Sequence, residues 1–242
     1  MTSTFLSKSD RPDVALALLP ASRKLLLLLC NAIPLFQVIA IGVTVWLLRF
    51  MPWLSLGLAM VLVYLVPPLL CRISLLLLPI RRQVIPLGSR EFFVWWFTLN
   101  LQMLFCRLPF FEELLRIVPG CYSMWLRLWG AKIGKLTYWA AGVRILDRSF
   151  LCIGDHVTFG AGVRLNPHVI LPDENGTMLL ALAPITIGDR ANVGGYSLFV
   201  AGGAIAPDES TQACQTLPPF GRIEGGRRYK PSDSPLAGTV RG

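Results

Sequence analysis

The sequence contains two histidines, His156 and His168, and histidine is the side chain best suited to move a proton near neutral pH. His168 lies just before residues 172–184, which break the pattern of the surrounding sequence. Active sites are often built where a loop leaves a regular scaffold. We therefore expect neutral His168 to accept a proton from a hydroxyl or amine that attacks a thioester. His156 stands in the turn sequence IGDH, where an exposed histidine without a role is the simpler interpretation.

Such a base needs a partner to orient its ring, and the oxyanion needs fixed donors. Four polar residues are candidates to orient His168: Asp155, Asn166, Asp173 and Glu174. Asp155 and Asn166 are the preferred pair. Backbone amides near Gly194-Gly195 or Gly202-Gly203 are candidate oxyanion donors, because glycine lets a ligand approach the backbone closely. The alternative is that these glycines only form corners of a repeating structure.

We expect no metal site. His156 and His168 are twelve residues apart, two sides of a triangular coil, so they cannot stack on one face, and no third ligand stands out near them. The six cysteines are scattered without any C-x-x-C pair, which excludes the usual zinc spacing and favours free buried thiols.

The scaffold that must position His168 is a six-residue repeat. Large apolar residues recur at every sixth position in three sets, and small or β-branched residues follow four positions later. The primary positions are Ile133, Trp139, Ile145, Leu151, then Ile153, Phe159, Leu165, Leu171, then Ile187, Val193, Phe199, Ile205. The first set ends at Leu151 and the second begins at Ile153, so the step between them is two residues and not six; we call this shift the slip. This period fits neither a helix nor a simple strand, and it predicts a parallel β-helix of roughly three coils over residues 131–206.

The N-terminal half points to a membrane. Hydrophobic residues make up 54% of the chain, charged residues only 15%, and the net charge is +9. Residues 25–48 carry no charge and are long enough to span a bilayer. Residues 53–80 are either a kinked span or a span that ends near residue 70 with an interfacial piece after it. We predict a transmembrane hairpin over residues 25–90, preceded by a mobile segment at residues 1–24.

The basic residues flank the outer ends of this hairpin, so the positive-inside rule places both termini and the β-helix in the cytoplasm of a bacterial inner membrane. The pattern of residues 91–130 predicts interfacial and amphipathic helices that join the membrane hairpin to the β-helix, and we call this segment the collar. Its aromatic residues are expected to contact either the membrane or the β-helix. The Pro-, Gly- and Arg-rich residues 207–242 predict an irregular tail. The basic charge favours lipid over nucleic acid, for which no motif is present.

The stretches IGDHVTFGAGVRLNPHVI and APITIGDRANVGGYSLFVAGGAI resemble the bacterial hexapeptide-repeat acyltransferases, which include xenobiotic, serine and maltose acetyltransferases. The resemblance covers residues 125–207. It implies a left-handed coil, a homotrimer, His168 as general base, and acyl-CoA as co-substrate without a bound cofactor. The residues it places at acyl-CoA, with the glycines above, are Gly188, Gly194, Gly195, Tyr196, Gly202 and Gly203. RLWGAKIG followed by IGD is also similar to the C-terminal region of poly-lysine synthetase-type peptide synthetases.

The expected fold class is therefore mixed: an N-terminal membrane hairpin and interfacial helices, followed by a short left-handed parallel β-helix. The expected function is transfer of an acyl group, such as acetyl, from acyl-CoA or acyl carrier protein to a hydroxyl or amine of a lipid-linked or small-molecule acceptor. The competing hypothesis is a non-catalytic, membrane-tethered trimeric scaffold for a biosynthetic complex.

Overall fold

The computed structural model describes residues 19–172 and 177–229. Four apolar helices come first: α1 (Ala21–Asn31), α2 (Ile33–Leu47), α3 (Pro52–Tyr64) and α4 (Val66–Leu77). The predicted mobile start and the end of the predicted tail lie mostly outside these residues, as do Asp173 and Glu174.

The helices α3 and α4 together form one 26-residue helix, Pro52–Leu77, that is long and apolar enough to cross a membrane. The pair α1 and α2 passes the same test as one unit, but it bends by 43°. Pro34 lies in the first turn of α2 and cannot donate a backbone hydrogen bond, which accounts for the break. These findings concern length and composition only, so the membrane hairpin stays a prediction. Helix α4 continues past residue 70 to Leu77. For residues 53–80, this favours the kinked span over a span that ends near residue 70.

Helix α5 (Arg90–Arg107) begins at Ser89, whose hydroxyl accepts a hydrogen bond from the Phe92 amide. More than half of its residues are buried inside the protein, so α5 is mainly packed within the protein, and its contact with the membrane surface stays a prediction. Its interior polar residues are satisfied by the protein. For example, the Gln102 oxygen accepts a hydrogen bond from the backbone of Arg148 at 2.8 Å. Two short helices follow, α6 (Phe110–Ile117) and α7 (Cys121–Leu128).

The aromatic residues of this region pack on the coil. Trp125 and Trp129 are buried in one core with Ile133 and Ile153. The Trp139 ring stacks on Phe159 at 4.4 Å and 4°. Of the two contacts the sequence allowed for the collar, the structure shows packing against the β-helix.

Residues 132–224 form the predicted coil, with three parallel faces. The first face contains β2 (Lys132–Ile133), β5 (Leu151–Ile153), β10 (Ile185–Ile187), β13 (Ala204–Ile205) and β15 (Arg222–Glu224). The second contains β3 (Tyr138–Trp139), β6 (Thr158–Phe159) and β11 (Asn192–Val193). The third contains β4 (Arg144–Ile145), β7 (Arg164–Asn166), β12 (Leu198–Val200) and β14 (Thr216–Leu217). Primary positions stack in register, as in Ile145, Leu165, Phe199 and Leu217. The predicted handedness stays a prediction.

The coil does not end at residue 206, contrary to the expected irregular tail. Strands β14 and β15 continue the stack, and β16 (Arg227–Tyr229) turns back on β15. Thr211 interrupts the apolar hexads here, and its hydroxyl accepts a hydrogen bond from the Gly194 amide at 2.9 Å. A polar residue thus fills an apolar position, which hid the fourth coil from the six-residue pattern.

The expected break in the second coil is a β-hairpin. Strand β8 (His168–Pro172) pairs with β9 (Met178–Leu182), and β9 pairs with β1 (Val84–Pro86). In the sequence, β1 follows the apolar helices and precedes α5. Leu180 and Leu182 of β9 pack against Phe92 and Trp95 of α5. The hairpin therefore joins the coil to the helical half of the chain.

Candidate active site

The candidate site lies at the corner between the third and first faces of the coil, which we call the hairpin corner. It is formed by residues 146–150 in the first coil, residues 167–172 and 177–184 in the second and residues 201–203 in the third. Stacked coils bring these segments together: the Ala183 amide donates to the Pro167 oxygen at 3.0 Å, and the Gly202 amide to Ala183 at 3.2 Å. His168 is the first residue of the strand that leaves the coil here.

His168 is held by Asp147 from the neighbouring coil. Its Nδ1 is hydrogen-bonded to Asp147 Oδ2, and the indole Nε1 of Trp95 donates to the other carboxylate oxygen, Oδ1, at 2.9 Å. The Trp95 ring also packs edge-on against the imidazole, with 4.9 Å between ring centroids. An ionised carboxylate can only accept, so Nδ1 carries the proton. The other ring nitrogen, Nε2, is then left with a free lone pair in the neutral imidazole.

The charge of Asp147 sets the basicity of this imidazole. Burial alone would lower the pKa of His168, but the Asp147 carboxylate and its hydrogen bond outweigh burial and hold the pKa above the ordinary value of 6.5. Asp147 is almost fully buried, whereas the His168 side chain retains 19% of its exposure. The arrangement is an oriented, partly accessible base.

Asp147 reaches His168 because the first coil is two residues longer than the later regular coils. Ile145 pairs with Leu165, 20 residues on, whereas Phe199 pairs with Leu217, 18 residues on. The extra residues lengthen the hairpin corner, and Asp147 adopts a left-handed backbone, φ 48°, which aspartate tolerates better than most residues. The slip in the sequence marked this place, but nothing in the pattern connected it with His168.

Arg148, the next residue, belongs to a buried charge network. Its guanidinium pairs with Glu112 of α6 and donates to the Gln102 oxygen at 3.0 Å. Glu112 also accepts from the Tyr122 hydroxyl at 2.6 Å and from Arg116 at 3.2 Å. Burial lowers the pKa of Arg148, but Glu112 outweighs it and raises the pKa, so the side chain stays charged. The network clamps α6 and α5 to the corner that carries Asp147.

The residues predicted to orient His168 lie elsewhere. Asp155 caps a turn at a different corner, where its Oδ1 accepts from the Lys135 amide at 2.6 Å. Asn166 lines a cavity of about 190 Å³ together with Arg148, Arg164 and Cys106. Asp155 is therefore not the partner of His168, and Asp147 takes that place.

The two histidines have different surroundings. His156 is exposed in a turn with φ 57°, as expected. His168 does not project freely outward, because the strand that carries it turns towards α5. Among residues 19–172 and 177–229, no group of three or more His, Cys, Asp or Glu side chains is arranged to hold a metal ion.

The glycines expected at acyl-CoA are engaged within the coil. The amides of Gly194, Gly202 and Gly203 already donate to Thr211, Ala183 and Val200. A Cβ on Gly188 would come within 2.3 Å of the backbone of the next coil, and one on Gly202 within 2.4 Å of Phe220. A Cβ on Gly195 or Gly203 would come within 3.0 Å of a backbone oxygen. These glycines serve close stacking at three different corners, so they do not form one set of oxyanion donors. Tyr196 is 72% exposed beside them.

Comparisons with known proteins give the following. No protein-family model matches the sequence, and no curated protein matches it. Among solved structures, the chain is similar to a hexapeptide-repeat-containing acetyltransferase from Vibrio cholerae, at 17% identity over 53% of this chain and 90% of that chain, with a TM-score of 0.33. The same acetyltransferase complexed with acetyl coenzyme A gives 17% identity, 59% and 88% coverage, and a TM-score of 0.35. A maltose O-acetyltransferase from Clostridium difficile 630 is 14% identical over 51% of this chain and 82% of that chain, with a TM-score of 0.31.

Proposed function

We propose that this chain is a membrane-anchored acyltransferase in which His168 is the general base. The observation that carries the proposal is the Asp147–His168 pair, fixed by Trp95 at the point where the chain leaves the coil. A histidine oriented by a buried carboxylate is the standard means of raising the basicity of one ring nitrogen while presenting it to a substrate.

In the proposed step, Nε2 of His168 removes the proton from an acceptor hydroxyl or amine as its oxygen or nitrogen attacks the thioester carbonyl carbon. The tetrahedral intermediate then collapses, the carbon–sulfur bond breaks, and the imidazolium returns its proton to the leaving thiolate. Asp147 stabilises the imidazolium in between. Acyl-CoA or acyl carrier protein as donor follows from the resemblance of the hexads, as does the homotrimer.

The membrane anchor is supported by the surface of the N-terminal helices. Large apolar side chains are exposed along them and in the turn between α2 and α3, including Trp46 at 64%, Phe50 at 82% and Trp53 at 84%. A surface of this kind is unfavourable in water and is typical of a lipid-facing helix. The proposed location is a bacterial inner membrane with both ends of the chain in the cytoplasm. A reporter fused after Gly242 that behaves as periplasmic would exclude a cytoplasmic acyl donor.

The activity is tested with the full chain in detergent, by following acyl transfer or hydrolysis from acetyl-CoA and longer acyl-CoA by mass spectrometry. Replacement His168→Ala should reduce turnover by about 10²- to 10⁴-fold, the usual contribution of a general base. The matched control is His156→Ala, at the exposed turn histidine, which should retain wild-type turnover. If the wild type neither binds nor consumes acyl-CoA or acyl carrier protein, the enzyme hypothesis is wrong.

One observation favours the alternative, a non-catalytic trimeric scaffold tethered to the membrane. Three of the four glycine amides expected to bind the oxyanion, those of Gly194, Gly202 and Gly203, are occupied within the chain, which removes most of the expected donors. On this hypothesis, the protein would bind partner enzymes but not acyl-CoA. Binding of acyl-CoA therefore separates the two functions before any turnover is measured.

A further inference from the structure

Two cavities meet where the N-terminal helices end against α5. The first, of about 520 Å³, lies between the end of α4 and the first turn of α5. The second, of about 510 Å³, lies between α1, α4 and α5. Leu78, Arg90 and Val94 line both of them. The two cavities are therefore neighbouring parts of one groove, which we call the α1–α5 groove.

One part of the α1–α5 groove is strongly basic. Arg81, Arg82 and Arg90 line the first cavity, and Glu91 is the one carboxylate among the described residues that line either cavity. Glu91 neutralises little of this charge, because its closest approach to a guanidinium is 3.9 Å, to Arg82, whose side chain is 70% exposed. Exposed pairs of this kind are weak. The groove thus keeps an excess of positive charge that an anion can satisfy.

The other part is apolar. Leu26, Phe93 and Phe97 line the second cavity, and Leu26 is 44% exposed in the described structure. Arg23 stands at its edge, where its guanidinium donates to the Gly88 oxygen at 2.7 Å and lies over the Phe93 ring. A hydrocarbon chain fits such a surface, because it removes exposed apolar area from water.

We propose that the α1–α5 groove binds an anionic phospholipid, with the phosphate against Arg81 and Arg90 and an acyl chain along Leu26, Phe93 and Phe97. Charge complementarity selects the headgroup, and the adjoining apolar cavity selects a lipid over a free phosphate. The groove is separate from the proposed acyl-transfer site at His168. Its residues Arg90, Val94 and Phe97 lie at a helical spacing on one side of α5. Trp95, which holds Asp147, packs on the other side against β1 and β9.

The test measures binding to the full chain in neutral detergent by native mass spectrometry. The probes are dioctanoyl phosphatidic acid, glycerol 3-phosphate and dioctanoylglycerol, which carry both parts, the headgroup alone and the chains alone. Phosphatidic acid should bind at least tenfold more tightly than either of the others. The double variant Arg81→Gln, Arg90→Gln should weaken phosphatidic acid binding at least tenfold, because each arginine contributes a charged contact.

The matched control is Arg49→Gln, Arg107→Gln, which removes the same charge from exposed positions outside the groove. It should bind phosphatidic acid as the wild type does. A second variant, Ser74→Phe, fills the apolar cavity without changing charge and should weaken the lipid but not glycerol 3-phosphate. Equal losses in the control pair, or binding of glycerol 3-phosphate or dioctanoylglycerol as tight as that of phosphatidic acid, would overturn the proposal.

The outcome is independent of catalysis. A chain that binds phosphatidic acid but consumes no acyl-CoA retains the groove and loses the proposed enzyme function. A chain that turns over acyl-CoA with no preference for phosphatidic acid retains the function and loses the groove.

Discussion

Replacing Asp147 by asparagine keeps the shape of the side chain and removes its charge. The Trp95 indole can still donate to the amide oxygen, so the amide nitrogen then faces His168 and donates to Nδ1. The imidazole is forced to carry its proton on Nε2, where the proposed base needs a lone pair. A hydrogen bond to a charged group contributes about 1.5–3 kcal/mol, and roughly 1.4 kcal/mol changes a rate tenfold. We expect Asp147→Asn to lower kcat by about 10- to 150-fold.

The assay is the pH dependence of kcat/KM for acyl-CoA turnover. The base is active when neutral, so activity rises as pH increases through the pKa of His168. In the wild type, this rise should lie above the ordinary histidine value of 6.5, because the Asp147 carboxylate raises the pKa. In Asp147→Asn only the lowering effect of burial remains, so the rise should move to lower pH while the plateau falls.

The matched control is Asp155→Asn, which alters a turn carboxylate at another corner and should leave both the plateau and the pH of the rise unchanged. If Asp147→Asn keeps the wild-type plateau, or if the rise stays at its wild-type pH, then Asp147 does not act on the base. Intact folding of both variants is checked by their thermal unfolding in the same detergent.

Three further predictions concern the packing of the site and of the coil. Trp95→Phe removes one hydrogen bond to the carboxylate and should lower kcat less than tenfold at unchanged KM; an altered KM with unchanged kcat would contradict a positioning role. Arg148→Met leaves buried Glu112 with Arg116 as its remaining charge partner. The substitution should reduce the free energy of unfolding, measured by chemical denaturation, by about 3 kcal/mol, and an unchanged free energy would show that the network adds no stability. Gly154→Ala places a Cβ 2.6 Å from a backbone nitrogen of the next coil and should lower the free energy of unfolding by about 1–3 kcal/mol. The control Gly57→Ala, whose Cβ meets nothing within 4 Å, should leave the free energy of unfolding unchanged, and equal effects of the two substitutions would refute the stacking argument.

The repeat was predictable because it depends on local spacing. Ile187 and Phe199 point inward since every sixth residue of a coil occupies the same place on successive faces, and the structure pairs them with Ile205 and Leu217 as the period requires. The fourth coil was missed because Thr211 satisfies its position by a hydrogen bond and not by burial of an apolar side chain. The buried position of α5 was also missed, because polar residues such as Gln102 find partners that only the folded chain provides.

The partner of His168 could not be predicted. Asp155 is closer to it in sequence than Asp147 is, but sequence distance says little in a coil, where residues about one turn apart are stacked neighbours. The added length of the first coil and the left-handed backbone at Asp147 place that carboxylate beside the hairpin. Trp95 comes from a different part of the chain altogether.

The sequence by itself determined the coil, the apolar character of the N-terminal half and the choice of His168, because composition and period are local properties. Tertiary structure alone decided the three-residue arrangement at His168, the engaged glycine amides and the basic groove between α1 and α5. Each depends on segments that are distant in sequence and are brought together by stacking of coils or by packing of helices against them. Because these contacts join residues that are far apart in the sequence, no spacing along the chain predicts them.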